Sequence, residues 1–254
     1  MLRNAIPRGA CCRLYHPAVF ALLIAGLPGF VAAQPRIINA FGMDWTVRSA
    51  RRPTAPGGNT FADDARHVRV DETGAVHLTL GEHATEIRSR VPTGYGIYEA
   101  RLEGRLDRLD PQAVFGFFTF ELPSDHPHNR EIDIEFSRWG DPAAPNTAYT
   151  VHPDTEPANQ QRFDFVQEGD ATTHRFVWAP GSVEFISWHG HGDYPPPPRL
   201  EIARFTVESA AVPTPGRARI YFNYWRFRGE PLQTGTTPAI IVRDFRFEAA
   251  ATGR

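Results

Sequence analysis

Short segments in which apolar and polar residues alternate recur through most of the chain, with Gly, Pro, Asn and Asp between them. A period of two places successive side chains on opposite faces of a β-strand. We find no amphipathic segment of about 12 or more residues with the helical period of 3.6. The alternating segments are residues 67–70, 75–80, 98–106, 113–121, 130–137, 148–152, 174–178, 182–188, 217–226 and 239–248. Because many short strands separated by turns are typical of a sandwich or barrel, we predict an all-β fold.

The first 33 residues have the pattern of a targeting segment. Arg3, Arg8 and Arg13 precede an apolar stretch at residues 18–33, which ends in small residues before Gln34. This order is typical of a cleaved signal peptide. The apolar stretch is shorter than the roughly 20 residues of a membrane-spanning helix, so an uncleaved anchor is the less favoured alternative. We therefore predict export, with the mature protein secreted or periplasmic.

Removal of residues 1–33 changes what the remaining chain can do. Cys11 and Cys12 both lie in that segment, so residues 34–254 contain no internal disulfide. The segment also contains three arginines and no acid, so the net charge of −2 becomes −5. An acidic exported protein is a poor candidate for binding nucleic acid or anionic lipid. We expect residues 34–254 to be one domain and a monomer, with no membrane contact after signal removal.

Residues 130–136 (Arg-Glu-Ile-Asp-Ile-Glu-Phe) are the most informative stretch. On a strand, Glu131, Asp133 and Glu135 face one side, and the apolar residues between them face the core. Like charges two residues apart repel, so at least one carboxyl group has a raised pKa. Hydrolysis of a glycosidic bond needs a proton donor and an ionised carboxylate side by side. The alternative is an outward-facing polar strand surface without a role.

The hexapeptide 131–136 resembles the signature of glycoside hydrolase family 16, which contains lichenases, laminarinases, agarases and xyloglucan transglycosylases. The resemblance implies a two-sheet antiparallel jelly-roll sandwich of the concanavalin A-like type, with a concave substrate cleft. It also implies a retaining mechanism with Glu131 as the nucleophile, Asp133 as its electrostatic helper and Glu135 as the general acid/base. Since no extra residue precedes Glu135, the motif is most similar to the lichenase and xyloglucan-transglycosylase branch.

Further segments resemble the same family in the same order, and together they cover about residues 60–248. They are residues 95–101, 114–120, 173–181 and 220–225. The chain also departs from the family pattern: Asn129 stands where lichenases have a Trp, and residues 187–193 replace an expected Asp-Gly hairpin. Mixed-linkage glucan is therefore not favoured as the natural substrate.

From the resemblance we expect an endo-acting hydrolase that cleaves O-glycosidic bonds in a β-linked polysaccharide, with β-glucans as the favoured class. The alternatives are a transglycosylase on the same scaffold and a non-catalytic glycan-binding module. No cofactor is expected to be required. A structural Ca²⁺ is common in relatives, but nothing in this sequence identifies its ligands.

Candidates for substrate binding come from the strands around the acidic motif. Sugar rings stack on aromatic side chains, and their hydroxyls bond to polar ones. The candidates are Glu99, Arg101, Phe118, Trp139, Thr150, His152, Asn223 and Trp225. For each of them a packing or surface role is the alternative. The pairs His126–His128 and His189–His191 lack a recognisable third ligand, so we predict no metal site there.

Overall fold

The computed structural model describes residues 34–251 as an all-β chain. In chain order the strands are β1 (Ile37–Ala40), β2 (Met43–Val47), β3 (Ala50–Thr54), β4 (Asn59–Phe61), β5 (Val68–Val70), β6 (Val76–Leu78), β7 (Thr85–Ser89), β8 (Gly96–Glu103), β9 (Ala113–Phe120), β10 (Ile132–Ser137), β11 (Thr147–Val151), β12 (Gln160–Phe163), β13 (Ala171–Ala179), β14 (Ser182–His189), β15 (Glu201–Glu208), β16 (Arg219–Arg226) and β17 (Ile240–Ala249). Within these residues, short 3-10 helices lie at Leu106–Arg108, Pro157–Asn159, Pro198–Leu200 and Phe227–Gly229. The predicted signal peptide lies outside the described residues. No helix in residues 34–251 has the length and apolar character needed to cross a membrane.

Two large antiparallel sheets contain nearly all of the strands. The front sheet has the order β1-β2-β7-β16-β9-β10-β11-β12, and the back sheet has the order β15-β14-β13-β8-β17-β6-β5. A third, two-stranded sheet is the hairpin β3–β4. The inner faces of the two large sheets contribute to a single apolar core. The predicted two-sheet jelly-roll sandwich is thus confirmed.

Stacked aromatic side chains join the two sheets at the centre of the core. Phe117 of β9 stacks on Phe222 of β16, with ring centroids 5.0 Å apart. From the back sheet, Phe176 lies 5.4 Å and Phe245 5.9 Å from the Phe117 ring. All four rings are buried. Because alternate residues of β9, β10 and β16 must fill this core, the residues between them face outward from the front sheet.

A chain of polar side chains crosses the core behind the acidic strand. The Tyr149 hydroxyl donates to Ser187 Oγ over 2.6 Å, and Ser187 Oγ lies 2.7 Å from His174 Nδ1. The other ring nitrogen of His174 lies 2.8 Å from Thr172 Oγ1. If Tyr149 donates to Ser187, the Ser187 hydroxyl donates to Nδ1, and the His174 proton then lies on Nε2. Burial lowers the pKa of His174 to about 3, so the folded chain holds this imidazole neutral.

We predict that His174 makes the protein less stable in acid. In the unfolded chain a histidine takes up its proton near pH 6.5, whereas in the folded chain His174 does so only near pH 3. The unfolded state therefore binds more protons in this interval, and the free energy of unfolding falls as the pH drops from about 6.5 towards 3. Urea denaturation at several pH values should show this fall in the native protein. A His174→Asn variant should be less stable at neutral pH and show a flatter pH dependence. An identical pH slope in both proteins would contradict the prediction.

Candidate active site

The ladder of the front sheet places the acidic residues of β10 beside specific neighbours. Asp133 pairs with Phe118 of β9 on one side and with Thr150 of β11 on the other. Glu135 pairs in the same way with Gly116 and Ala148. Cross-strand partners point to the same face of a sheet, so these side chains share the outer face of the front sheet.

A histidine on the neighbouring strand completes the acidic group. His152 Nε2 lies 2.8 Å from Asp133 Oδ2 and 3.9 Å from Glu131 Oε2. The His152 amide also donates to the Glu131 carbonyl over 3.1 Å. This backbone bond extends the β10–β11 pairing by one residue on each strand and so holds the two residues side by side. The Asp133 side chain is only 3% exposed, whereas that of Glu131 is 26% exposed. Asp133 is thus the buried centre of the group, and Glu131 is partly buried beside it.

Crowding and burial shift the protonation of these groups upward. Burial, followed by the negative charge of Asp133, raises the pKa of both Glu131 and Glu135 well above the usual range of a carboxyl group. Burial likewise raises the pKa of Asp133, although the hydrogen bond from His152 opposes this shift. Because the two glutamates interact, they titrate as a pair, and between the two steps one is ionised while the other holds a proton.

His152 supplies the compensating positive charge. Burial alone lowers its pKa, but the hydrogen bond to Asp133 and the charges of Asp133 and Glu131 outweigh burial and raise the pKa of His152 to about 9. At neutral pH the imidazole is therefore protonated and paired with Asp133. Of the two glutamates, Glu131 is the one that forms an ion pair with this cation, at 3.9 Å. The pairing favours the ionised form of Glu131.

The acidic group lies at one side of a cleft with a volume of about 510 Å³ on the outer face of the front sheet. Aromatic rings form much of its floor. The Phe118 and Tyr221 rings are stacked with centroids 5.1 Å apart, and Phe120 meets Tyr221 edge-on at 5.9 Å. Trp225 lines the far part of the cleft. A largely apolar floor with a few polar groups is the usual composition of a binding site for a small molecule or a sugar.

Asn223 projects into this cleft from β16, in register with Gly116. The Asn223 side-chain oxygen is buried and has no hydrogen-bond partner among the described residues. A Cβ atom at Gly116 would lie 2.7 Å from that oxygen, so a side chain at this position would displace the amide. Since an unpaired buried acceptor is costly, a rotation of the amide that turned this oxygen into the cleft would let a ligand hydroxyl donate to it.

Two cleft residues on β7 were not among the sequence-based candidates. Glu86 is the cross-strand neighbour of Asn223. Its carboxylate forms an ion pair with Arg48, whose Nη1 lies 3.0 Å from Oε2. Arg88 lies over the Tyr221 ring with its Cζ 6.0 Å from the centroid. The alternation Glu-Ile-Arg at residues 86–88 was the available signal, because it places two polar side chains on one face of a strand.

Two of the sequence-based candidates lie elsewhere. Glu99 and Arg101 are on β8, which pairs with β13 and β17 in the back sheet, so the expectation that they face the cleft was wrong. They form an ion pair of 3.6 Å, and Glu99 also contacts Arg175 of β13 at 3.4 Å. This arrangement is the surface pair that we considered as the alternative.

The remaining candidates are near the acidic group but differ in their contacts. Thr150 accepts a hydrogen bond from Gln160 Nε2 over 3.1 Å beside Asp133. Trp139 follows β10 with a positive φ of 47°, and its ring stacks under the Arg162 guanidinium at 3.9 Å. Trp139 is not among the residues that line the cleft. It therefore packs against β12 at the edge of the site. Phe118, Asn223 and Trp225 line the cleft, and His152 contacts its acidic group through Asp133.

One group of side chains in the described part of the chain has the spacing of metal ligands. Glu131, Asp133 and His152 each offer a donor atom, and these atoms all lie within 4.8 Å of one another. The histidine pairs named from the sequence are not part of any such group within residues 34–251.

Comparison with known proteins supports the fold. No protein-family model matches the chain, and no curated protein matches it. Among solved structures, the Bacillus licheniformis β-glucanase is similar with 20% identity and a TM-score of 0.55, over 81% of this chain and 92% of that chain. A family 16 glycosyl hydrolase from Mycobacterium smegmatis is similar with 19% identity and a TM-score of 0.56, over 80% and 91%. A Mycobacterium tuberculosis protein described as a pseudo β-1,3-glucanase has 19% identity and a TM-score of 0.57, over 81% and 91%.

These similarities establish that the chain has the fold of glycosyl hydrolase family 16 structures. The fold that the hexapeptide 131–136 implied is thus confirmed. Identities near 20% carry no further statement about activity.

We predict that His152 remains protonated well above neutral pH and that Asp133 is the cause. In Asp133→Asn the hydrogen-bonded negative charge is lost while the burial remains, so the pKa of His152 should fall by more than one unit. NMR titration of the histidine ring resonances measures both values. His174 serves as the internal control, because its contacts do not involve Asp133. An unchanged His152 titration in Asp133→Asn would contradict the assignment.

Proposed function

We propose that the protein is a secreted, retaining, endo-acting β-glycan hydrolase that cleaves O-glycosidic bonds in a β-linked polysaccharide, with β-glucans as the favoured class. The observation that carries the proposal is the group Glu131, Asp133, Glu135 and His152 at the side of a cleft with an aromatic floor. The glycosyl hydrolase fold supports it.

The first step breaks the glycosidic bond. Glu131 attacks the anomeric carbon as a carboxylate, and Glu135 gives its proton to the departing glycosidic oxygen. The bond to the leaving sugar breaks as the bond to Glu131 forms, so a covalent glycosyl–enzyme ester results and Glu135 is left ionised. In the second step Glu135 takes a proton from water, and the resulting hydroxide displaces Glu131 from the same carbon. Two inversions give net retention of configuration.

The assignment of roles follows from the charges around the two glutamates. His152 lies 3.9 Å from Glu131, so its positive charge favours the ionised nucleophile. Asp133 holds His152 in place through the 2.8 Å hydrogen bond and adds a negative charge beside both glutamates. That charge resists a second ionisation, and Glu135 therefore keeps the proton that the leaving group needs.

The cleft beside the carboxylates is suited to sugar rings. Phe118 and Tyr221 offer stacked apolar faces, and Trp225 offers a third ring further along. The unpaired Asn223 oxygen can accept a hydroxyl hydrogen, while Arg88 and Glu86 supply charged groups for further hydroxyls. Together with the carboxylates of β10, these residues of β7, β16 and β9 extend the binding surface across four neighbouring strands, which supports a polymer substrate over a single sugar.

Export and assembly are further parts of the proposal. The signal-like residues 1–33 support secretion or periplasmic export, and the absence of cysteine from residues 34–254 is compatible with either. We propose a monomer that acts on polysaccharide without a required cofactor, and without nucleic-acid or membrane partners.

Two other functions share the supporting observations. A transglycosylase would use the same ester but bind a sugar hydroxyl in place of water. A non-catalytic glycan-binding module would use only the cleft, and the M. tuberculosis neighbour is itself described as a pseudo-glucanase. The presence of both glutamates in this chain favours catalysis.

We predict that Glu131→Gln abolishes reducing-end release from whichever glycan the native protein cleaves in a panel of β-glucans, xyloglucan, agarose and carrageenan. The amide cannot form the ester at a useful rate. Glu184→Gln, a surface glutamate of the back sheet that pairs with Arg204, is the matched control and should keep full activity. Binding of a glycan without release by the native protein would instead favour the glycan-binding module.

We predict that Glu135→Ala slows hydrolysis by about 10²–10⁴-fold, the usual contribution of a general acid/base. On an aryl glycoside with a good leaving group, azide should restore turnover and yield a glycosyl azide of retained configuration. Failure of azide to restore turnover would remove the acid/base role from Glu135.

We predict a bell-shaped dependence of kcat/KM on pH with its optimum on the alkaline side, because both limbs are shifted above the pKa of a free carboxyl group. These limbs correspond to the two ionisations of the Glu131–Glu135 pair. In Asp133→Asn both limbs should move to lower pH, because the charge that raises both pKa values is gone. Asp193→Asn, 96% exposed in the loop between β14 and β15, is the control and should leave the profile unchanged. An optimum near pH 5 in the native protein would contradict this reading of the site.

A further inference from the structure

We propose that Glu131, Asp133 and His152 bind a single divalent transition-metal ion, Zn²⁺ or Cu²⁺, and that the bound ion blocks the site. The binding stands on the geometry of the three side chains. Only the blocking of catalysis rests on the proposed function.

The three donor atoms have a spacing that one ion can span. His152 Nε2 lies 2.8 Å from Asp133 Oδ2 and 3.9 Å from Glu131 Oε2, and all three atoms lie within 4.8 Å of one another. A tetrahedral ion with bonds of about 2.0–2.1 Å holds its ligands about 3.3 Å apart. Small rotations of Glu131 and Asp133 therefore bring the three atoms to the required distances, and the ion takes the place of the proton on His152 Nε2.

The buried carboxylate at the centre of this group has few partners. Within the described residues, Asp133 accepts one side-chain hydrogen bond, from His152, although its side chain is only 3% exposed. A carboxylate can accept about four hydrogen bonds, and buried polar atoms are usually satisfied. Among residues 34–251, His152 is the one side chain that forms ion pairs with Glu131 and Asp133, and Arg162 acts on Glu135 only through its charge from beyond ion-pair distance. The group therefore has unused oxygen donors and an excess of negative charge, both of which favour a cation.

The donor set selects the kind of cation. A neutral imidazole together with carboxylates suits Zn²⁺ and Cu²⁺, whereas Mg²⁺ and Ca²⁺ prefer oxygen donors alone. The order of stability for such sites places Cu²⁺ above Zn²⁺. Three protein ligands also leave a position for water, or for the neighbouring Glu135 carboxylate on the same face of β10.

The bound ion would occupy the nucleophile. Its bond to Glu131 Oε2 withdraws the oxygen that attacks the anomeric carbon, and the ion itself fills the place beside Asp133 that the sugar must reach. Zinc should therefore compete with substrate, raising KM without lowering kcat. Zinc should not inhibit glycan cleavage in this way in a hydrolase that lacks these three ligands.

The direct test is calorimetric titration of the full chain, freed of metal with EDTA, with zinc chloride. We expect one zinc site that His152→Gln weakens by at least tenfold, and that Asp133→Asn weakens as well. His128→Gln is the matched control, since His128 lies on the loop before β10 and outside the triad, and it should bind as the native chain does. Circular dichroism establishes that each variant is folded. Zinc binding that is absent, or unchanged in His152→Gln and Asp133→Asn, overturns the proposal.

Copper provides a second readout that does not depend on activity. The electron paramagnetic resonance spectrum of the Cu²⁺-loaded chain should show coupling to one histidine nitrogen, lost in His152→Gln and retained in His128→Gln. Calcium and magnesium should not displace the copper. Persistence of the nitrogen coupling in His152→Gln would place the metal elsewhere and overturn the assignment.

The inhibitory part is tested on a cleaved glycan. The zinc inhibition constant should equal the dissociation constant from calorimetry, and inhibition should be competitive. Zinc that binds at the triad without inhibiting overturns the blocking role alone. Zinc binding in a chain that cleaves no glycan would leave the metal site standing and remove the proposed hydrolase, so the two failures are distinguishable.

Discussion

Strand β10 must satisfy two opposite demands, and the rest of the site depends on how it does so. Its inward residues Ile132, Ile134 and Phe136 are fully buried in the core between the sheets. The strict period of two then forces Glu131, Asp133 and Glu135 onto the outer face, with no freedom to turn away individually. A slip of one residue would bury three carboxylates in the core, so the same pattern that stabilises the sandwich also fixes the register of the acids. Burial of the apolar residues of β10 therefore determines where the three carboxylates lie.

The cost of this arrangement is a concentration of like charge that the protein only partly offsets. Within the described residues, His152 is the one cationic side chain that forms ion pairs with the group. Its shorter contact is with the nearly buried Asp133, so its positive charge mainly offsets the charge of Asp133. Burial and the remaining repulsion both disfavour the ionised forms, which is why the pKa values of both glutamates rise. Proton sharing at the glutamates, retention of a proton by His152 and affinity for a metal ion are therefore three responses to the same excess of negative charge.

The sequence predicted the all-β class and the β10 carboxylates because both follow from local alternation. It did not reveal which strands become neighbours. Strand β16 lies between β7 and β9 although residues 219–226 are about a hundred or more positions away from both, and that pairing brings Glu86, Arg88 and Asn223 to the cleft. The error at Glu99 and Arg101 has the same origin, since alternation says which residues share a face but not which sheet their strand joins. His152 could be placed beside the acids from sequence, through the expected pairing of two consecutive strands.

The free-energy cost of placing like charges together also distinguishes a catalyst from a glycan-binding module. A cleft that only held glycan would need stacked rings and neutral hydrogen-bonding groups, both of which Phe118, Tyr221 and Asn223 supply without help from β10. Binding alone does not require three carboxylates on neighbouring outward positions, and their closeness lowers stability, because each must be desolvated beside its like. Natural sites tolerate that loss where the perturbed protonation states are used in a reaction. The electrostatic strain at Glu131, Asp133 and Glu135, more than the cleft that surrounds them, is therefore what argues for a catalyst.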